Sequence, residues 1–266
     1  MLTEYLYTQM LSIYKIIGVT KRFDPKEDVV LILGGSTTSF GQKLCQVLVH
    51  KYKTTVVNFD RYDDPNCHCP GLYHFIRCDF TQRKSVNNAF FRAKLLGLSF
   101  TVLINNVNEL LDGITDEDPL KNCRDIINAN LINVMISTKL FITELVGHDK
   151  DVYIINVTAL SDSDHGKEGR STYYHLAQAG LVQFHDGMSS ELKLKEINHG
   201  NYYKPLLAYL PVSKEKKAEK LVNDFIRVLI EGREGIEYLY EGKIRNSTLG
   251  QMIRYYKKVY AHCGEW

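Results

Sequence analysis

Residues 28–41 read DVVLILGGSTTSFG: an unbroken apolar run, Val29–Leu33, then small residues carrying three glycines, Gly34, Gly35 and Gly41. A Val/Ile/Leu run without alternation suits a parallel strand covered on both faces. Glycines at its carboxyl end let the backbone approach a pyrophosphate at the amino terminus of the next helix. That helix follows as a stripe of Leu44, Val47, Leu48 and His50. A plain strand-to-helix turn carries the same glycines, so the reading depends on its surroundings.

The chain has 266 residues, 33 basic against 31 acidic, for a formal charge of +2. It is long enough for one large α/β domain, and it lacks the basic footprint that nucleic acid requires. Six cysteines at irregular spacings, with no amino-terminal signal peptide, point to reduced thiols in an intracellular, cytoplasmic protein. Cys67, His68, Cys69, His74 and Cys78 lie close in sequence. Zinc-ligand pairs are normally spaced about two to four residues apart, wider than Cys-His-Cys, so no metal is expected.

Outward from the glycine loop, 54–59 (TTVVNF) reads as a second strand ending at Asp60. An acidic residue there, 60 − 35 = 25 positions after Gly35, can accept hydrogen bonds from an adenosine ribose and repels a 2′-phosphate. The dinucleotide is therefore NAD or NADP with a lean to NAD, which Arg61 next door could reverse. Strands follow at 73–78 (before Asp79), 101–104 (before Asn105 and Asn106), 151–157, 205–212 and 236–240, separated by helical patterns. This spacing predicts a Rossmann-type, doubly wound α/β domain over 24–245, with a largely parallel seven-stranded sheet and helices on both faces. The charged stretch 213–220 reads as the solvated start of a helix, with Ser213 as its N-cap.

Residues 1–23 and 246–266 each space apolar residues helically. Either helix packs on the domain's own surface or lies on a membrane, lipid droplet or protein partner; Glu4, Gln9 and Lys15 prevent the first from spanning a bilayer.

Together these landmarks resemble the short-chain dehydrogenase/reductase family over about 28–212. The family's TGxxxGxG is matched by GGSTTSFG, with Gly35 and Gly41 in place and Ser39 at the middle glycine; Ser36 and Phe40 complete the cofactor loop. Asp79 falls where the family contacts adenine, and NNVN at 105–108, with Asn106, where it shows NNAG. Asn130 in NANL matches the family's structural and catalytic asparagine. YHLAQAGL matches YxASKxAL, which puts Tyr174 on the catalytic tyrosine and Gln178 on the catalytic lysine, while Ala159 falls on the catalytic serine. Ser161, 174 − 161 = 13 residues before Tyr174, and Thr158 are substitutes for that hydroxyl.

In the family the tyrosine phenol exchanges a proton with the substrate oxygen as hydride moves to or from nicotinamide, and the lysine ammonium lowers the phenol's pKa and holds the ribose. Gln178 carries no charge, and Ala159 offers no donor to an oxyanion. Ser39, Ala159 and Gln178 all weaken one mechanism, so the resemblance implies an oxidoreductase by descent with lost or strongly reduced catalysis. The alternative is an active oxidoreductase on a lipophilic alcohol or ketone, using Tyr174 with Ser161 and Asn130. A lipophilic small molecule and a homodimer are compatible with either.

Overall fold

The fold is that of a computed structural model, which describes residues 22–109, 119–147, 151–159, 172–199, 202–210, 218–240 and 243–246. The terminal helices expected over 1–23 and 246–266 fall almost wholly outside these residues, as do Ser161, Ser213 and residues 211–212.

One sheet organises the molecule. Its strands are β1 Val29–Leu33, β2 Thr55–Asp60, β3 Tyr73–Arg77, β4 Val102–Asn105, β5 Asp151–Ala159, β6 Tyr202–Leu210, β7 Gly235–Tyr240 and β8 Lys243–Asn246, in the order β3-β2-β1-β4-β5-β6-β7-β8. β1 to β7 run parallel, as the sequence predicts, and β8 adds an antiparallel hairpin partner to β7 that the sequence reading did not include. The helices are α1 Ser39–Gln46, α2 Arg83–Lys94, α3 Pro119–Ile127, α4 Asn133–Leu140, α5 Thr172–His199 and α6 Ala218–Ile230.

β1 shows why the run at Val29–Leu33 decides the fold. Val30 and Ile32 belong to the core against α1 and α6, while Leu31 and Leu33 belong to the core against α2, α4 and α5. Both faces are apolar because both are covered, and each of these four side chains contributes about 1.5–3 kcal/mol by burial. In the pairing register Leu33 stands opposite Phe59 of β2 and Asn105 of β4, which levels three carboxyl ends. The chain switches direction across the sheet between β1 and β4, and a ligand crevice is expected there.

The helical run Leu120–Leu145 is long and apolar enough to cross a membrane by length and composition. Ile126, Ala129, Val134 and Phe141 on it are nevertheless core residues, and Asn130, Asn133 and Thr138 are buried with hydrogen-bonded side chains. It packs as a core helix.

Candidate functional site

The glycine loop is held by polar side chains from the strands beside it. Asn58 Oδ1 accepts the Gly35 amide at 3.0 Å, and Asn58 Nδ2 donates to Ser36 Oγ at 2.7 Å. Asn106 Nδ2 donates to the Gly34 carbonyl at 2.7 Å and to Thr38 Oγ1 at 3.1 Å. The turn leaves no room for side chains at its glycines. A Cβ on Gly35 would stand 2.5 Å from Asn58 Oδ1, and one on Gly41 2.6 Å from the Gly34 carbonyl oxygen.

Asp60 is the loop's anchor. Its Oδ2 accepts the amides of Ser36 and Thr37 at 2.7 and 3.0 Å, and its Oδ1 accepts the Thr37 hydroxyl and the Arg61 amide, both at 2.6 Å. A carboxylate has about four acceptor positions, and all are used within the protein. Replacing Asp60 by Ala leaves three amides and a hydroxyl without their acceptor. We expect a loss on the order of 3 kcal/mol in urea unfolding, and Asp60→Asn, which keeps one acceptor oxygen, should lose clearly less. A change under about 0.5 kcal/mol for Asp60→Ala would mean that water replaces the carboxylate.

Thr38 caps α1, its hydroxyl accepting the Gly41 amide at 3.0 Å. Ser39 is the first residue of α1, and among the described residues the amides of Ser39 and Phe40 make no hydrogen bond. These first-turn donors, with the helix dipole behind them, suit a pyrophosphate. The Phe40 ring is turned away: it packs edge-on against Phe225 with centroids 5.5 Å apart, so only the backbone of this predicted cofactor residue faces the loop's task.

Asp79 begins the turn into α2, where its Oδ1 accepts the Thr81 amide and hydroxyl at 3.0 and 2.7 Å. Arg61 joins it at 3.0 Å and reaches Glu109, beyond β4, at 2.9 Å. Partial burial opposes ionisation of Asp79, but hydrogen bonds from Thr81 and the Arg61 guanidinium override it and hold the carboxyl below its usual range. The same contest on Arg61, burial against Asp79 and Glu109, ends with the guanidinium held more firmly protonated.

Asn130 lies in a π-helical turn, Asn128–Ile132, between α3 and α4. Its Nδ2 donates to the carbonyls of Ile126 and Glu109, both at 2.9 Å, and its Oδ1 accepts the Glu109 amide at 2.9 Å. The bulge frees the side chain to clamp the loop after β4. Tyr174 and Gln178 lie one turn apart on α5 and are 2% and 8% exposed. The Thr158 hydroxyl of β5 donates to Gln178 Oε1 at 2.7 Å, so this substitute for the serine is already engaged.

One turn-pair further along α5, His185 accepts through Nδ1 from Asn156 Nδ2 at 3.1 Å. Asn105 Nδ2 donates to Asn156 Oδ1 at 2.7 Å and to Thr138 Oγ1 at 3.0 Å. Burial pushes the His185 imidazole down to about 4, so it is neutral and Nε2 holds the proton.

Gly35, Ser36, Gly41, Asp60, Asp79 and Asn106 thus converge at the crevice. Sequence reasoning missed Asn58 and Glu109; a lone polar residue inside TVVNFD was the available signal for the first. Among the described residues no cluster suited to a metal occurs.

The short chain dehydrogenase sequence profile matches residues 28–205. The oxidoreductase-like protein SRL4 of Saccharomyces cerevisiae is 32% identical over 258 residues, 86% of this chain and 90% of that protein. The chain belongs to the short-chain dehydrogenase/reductase family. Solved members share its fold. A bulky-bulky ketone specific alcohol dehydrogenase from Comamonas testosteroni superposes with a TM-score of 0.65 at 14% identity, covering 90% of this chain and 95% of that one. A Brucella ovis family member in complex with partially ordered NAD gives 0.61 at 16% identity, covering 79% and 98%.

Proposed function

We propose that this short-chain dehydrogenase/reductase family member binds a nicotinamide dinucleotide, preferring NAD, and has lost most of the family's oxidoreductase catalysis. The observation that carries the reading is Gln178: the position of the family's ammonium holds a neutral amide whose oxygen is taken by Thr158. A bound nicotinamide would supply or accept hydride. This chain's residues would hold it: the Ser39 and Phe40 amides for the pyrophosphate, and Asp60 for the ribose once the Thr37 hydroxyl yields its place. Two carboxylates, Asp79 and Glu109, already hold the one guanidinium, Arg61, and a third, Asp60, stands beside it on the Arg61 amide, which disfavours an added 2′-phosphate. Tyr174 keeps a phenol that can hold a proton, without a lysine at Gln178 to lower its pKa.

Calorimetric titration with NAD(H) and NADP(H) at equal salt tests the cofactor half of the reading. NAD should bind at least about 10-fold tighter, a difference of ~1.4 kcal/mol. Tighter binding of NADP removes the preference. Turnover of generic ketones or quinones at ordinary enzyme rates, on the order of 1–10³ per second, removes the loss of catalysis.

A further inference from the structure

Among the described residues, one side chain bridges the crevice at the carboxyl ends of β1, β2 and β4. Arg61 spans it, with Nη2 on Asp79 Oδ1 after β3 at 3.0 Å and Nη1 on Glu109 Oε1 after β4 at 2.9 Å. The cavity left beneath, lined by Gly34, Thr37, Asp60, Phe80 and Val107 as well as the guanidinium, is about 10 Å³. That is room for one water, whereas ligand sites run to about 300–1,000 Å³.

Both ends of the bridge are also held by groups other than Arg61. Glu109 is clamped through its backbone by Asn130, and Asp79 is set by Thr81 and by Gln82, whose Nε2 donates to its Oδ2 at 3.1 Å. The guanidinium's own backbone is tied down, since the Arg61 amide donates to Asp60. The movable part is the Arg61 side chain, 31% exposed, so solvent and salt reach it.

We propose that the Asp79–Arg61–Glu109 bridge is a latch over the adenosine end of the crevice, an autoinhibitory contact that a dinucleotide must break to enter. The inference rests on the dinucleotide reading above. It assigns Glu109 and Arg61 a role in controlling access, and Asn130 a second task, holding Glu109 where the latch closes. Ordinary dinucleotide sites lose affinity as salt rises, because salt screens the phosphates. A latch made of ion pairs has the opposite sign for a neutral ligand, because salt weakens the contact that keeps it out.

Adenosine isolates that effect, since it carries no phosphate, and NAD reports the full site. Binding of both would be followed by ligand-observed NMR and calorimetry at about 20 and 300 mM NaCl, spanning a threefold or greater change in Debye length, on the full chain and on Glu109→Gln and Arg61→Gln. Glu109→Gln keeps the shape and the backbone clamp on Asn130, and Arg61→Gln opens the crevice from the other partner. Each variant should bind adenosine about 5-fold tighter than the parent, the upper worth of a partly exposed ion pair. Salt should tighten adenosine binding to the parent and leave Arg61→Gln unaffected. If NAD binds the parent and neither variant binds adenosine or NAD more tightly, the latch is overturned and the dinucleotide reading stands. Tighter adenosine binding in both variants, with NAD bound by none of the three proteins, keeps the latch and removes the dinucleotide reading. Absence of binding by either probe to all three overturns both.

Discussion

Gln178→Lys combined with Ala159→Ser should raise hydride transfer to a generic ketone or quinone by at least ~10²-fold over the parent chain, since each repair addresses a contribution of that size. Gln178 and Tyr174 are both buried and stand four residues apart on one face of α5, so a lysine at 178 brings an ammonium to the phenol's neighbourhood. A unit charge at about 4 Å is worth on the order of 4 kcal/mol at an effective dielectric near 20. That favours the phenolate by about 10³-fold, at ~1.4 kcal/mol per factor of ten. The serine at 159 supplies a donor to the developing oxyanion, and one such donor is typically worth about 10²- to 10³-fold. Burying the ammonium has its own cost, reduced because the Thr158 hydroxyl that now donates to Gln178 can rotate and accept from lysine. Ser39→Gly belongs in the same series, to remove a Cβ from the pyrophosphate's path. A parent that already turns over at enzyme rates, with Tyr174→Phe abolishing the activity, means that another group does the lysine's work. A repaired protein that binds NAD and stays inert puts the defect elsewhere, in the stretches of sequence around 161–171 or 211–217.

The sheet was legible because its strands are covered on both faces and so read as apolar runs. β1 and β7 fall within a residue of where the runs place them. β6 begins earlier than its run suggests, at Tyr202 rather than Pro205, because a lysine and a proline interrupt the pattern. Pairing with β7 starts only at Leu206, so at Pro205 the strand has β5 alone as neighbour and the missing N–H is tolerated on the open side. Lys204 is buried with its ammonium 5.3 Å from the Tyr153 ring centroid, a tertiary accommodation that no local pattern announces. The site divides the same way. Positions set by strand ends, such as Asp60, Asp79 and Asn106, follow from spacing. What those side chains do does not: Asp60 is spent on its own loop, Phe40 is drawn into the core by Phe225, and Arg61 meets Glu109 across 48 residues of chain. Such contacts depend on how separate loops converge, which periodicity does not encode.

Acid should destabilise this protein through His185 before the carboxylates contribute. The imidazole is buried at 3% exposure and titrates near 4 in the folded chain, against an ordinary value of 6.5. The unfolded chain therefore binds a proton between those values that the folded chain refuses, and stability falls as pH drops from about 6.5 to 4. A gap of that width corresponds to about 3 kcal/mol, at ~1.4 kcal/mol per pH unit. The structural reason is specific: a proton on Nδ1 faces the Asn156 amide donor, and Asn156 in turn holds Asn105 at the end of β4. Glu237 acts in the opposite direction, since burial raises its carboxyl above the usual range and favours the folded state as it protonates. Asp64 and Asp79, held low, lose their contributions only at more acidic pH. The comparison that separates these groups is His185→Gln, which keeps an acceptor for Asn156 and does not titrate. Urea unfolding between pH 7 and pH 4 should show the parent losing about 3 kcal/mol more than the variant, with the gap opening below pH 6.5. Parallel losses in the two proteins would assign the acid sensitivity to groups other than His185, and the buried chain from Asn105 through Asn156 to α5 would then tolerate the proton it is built to exclude.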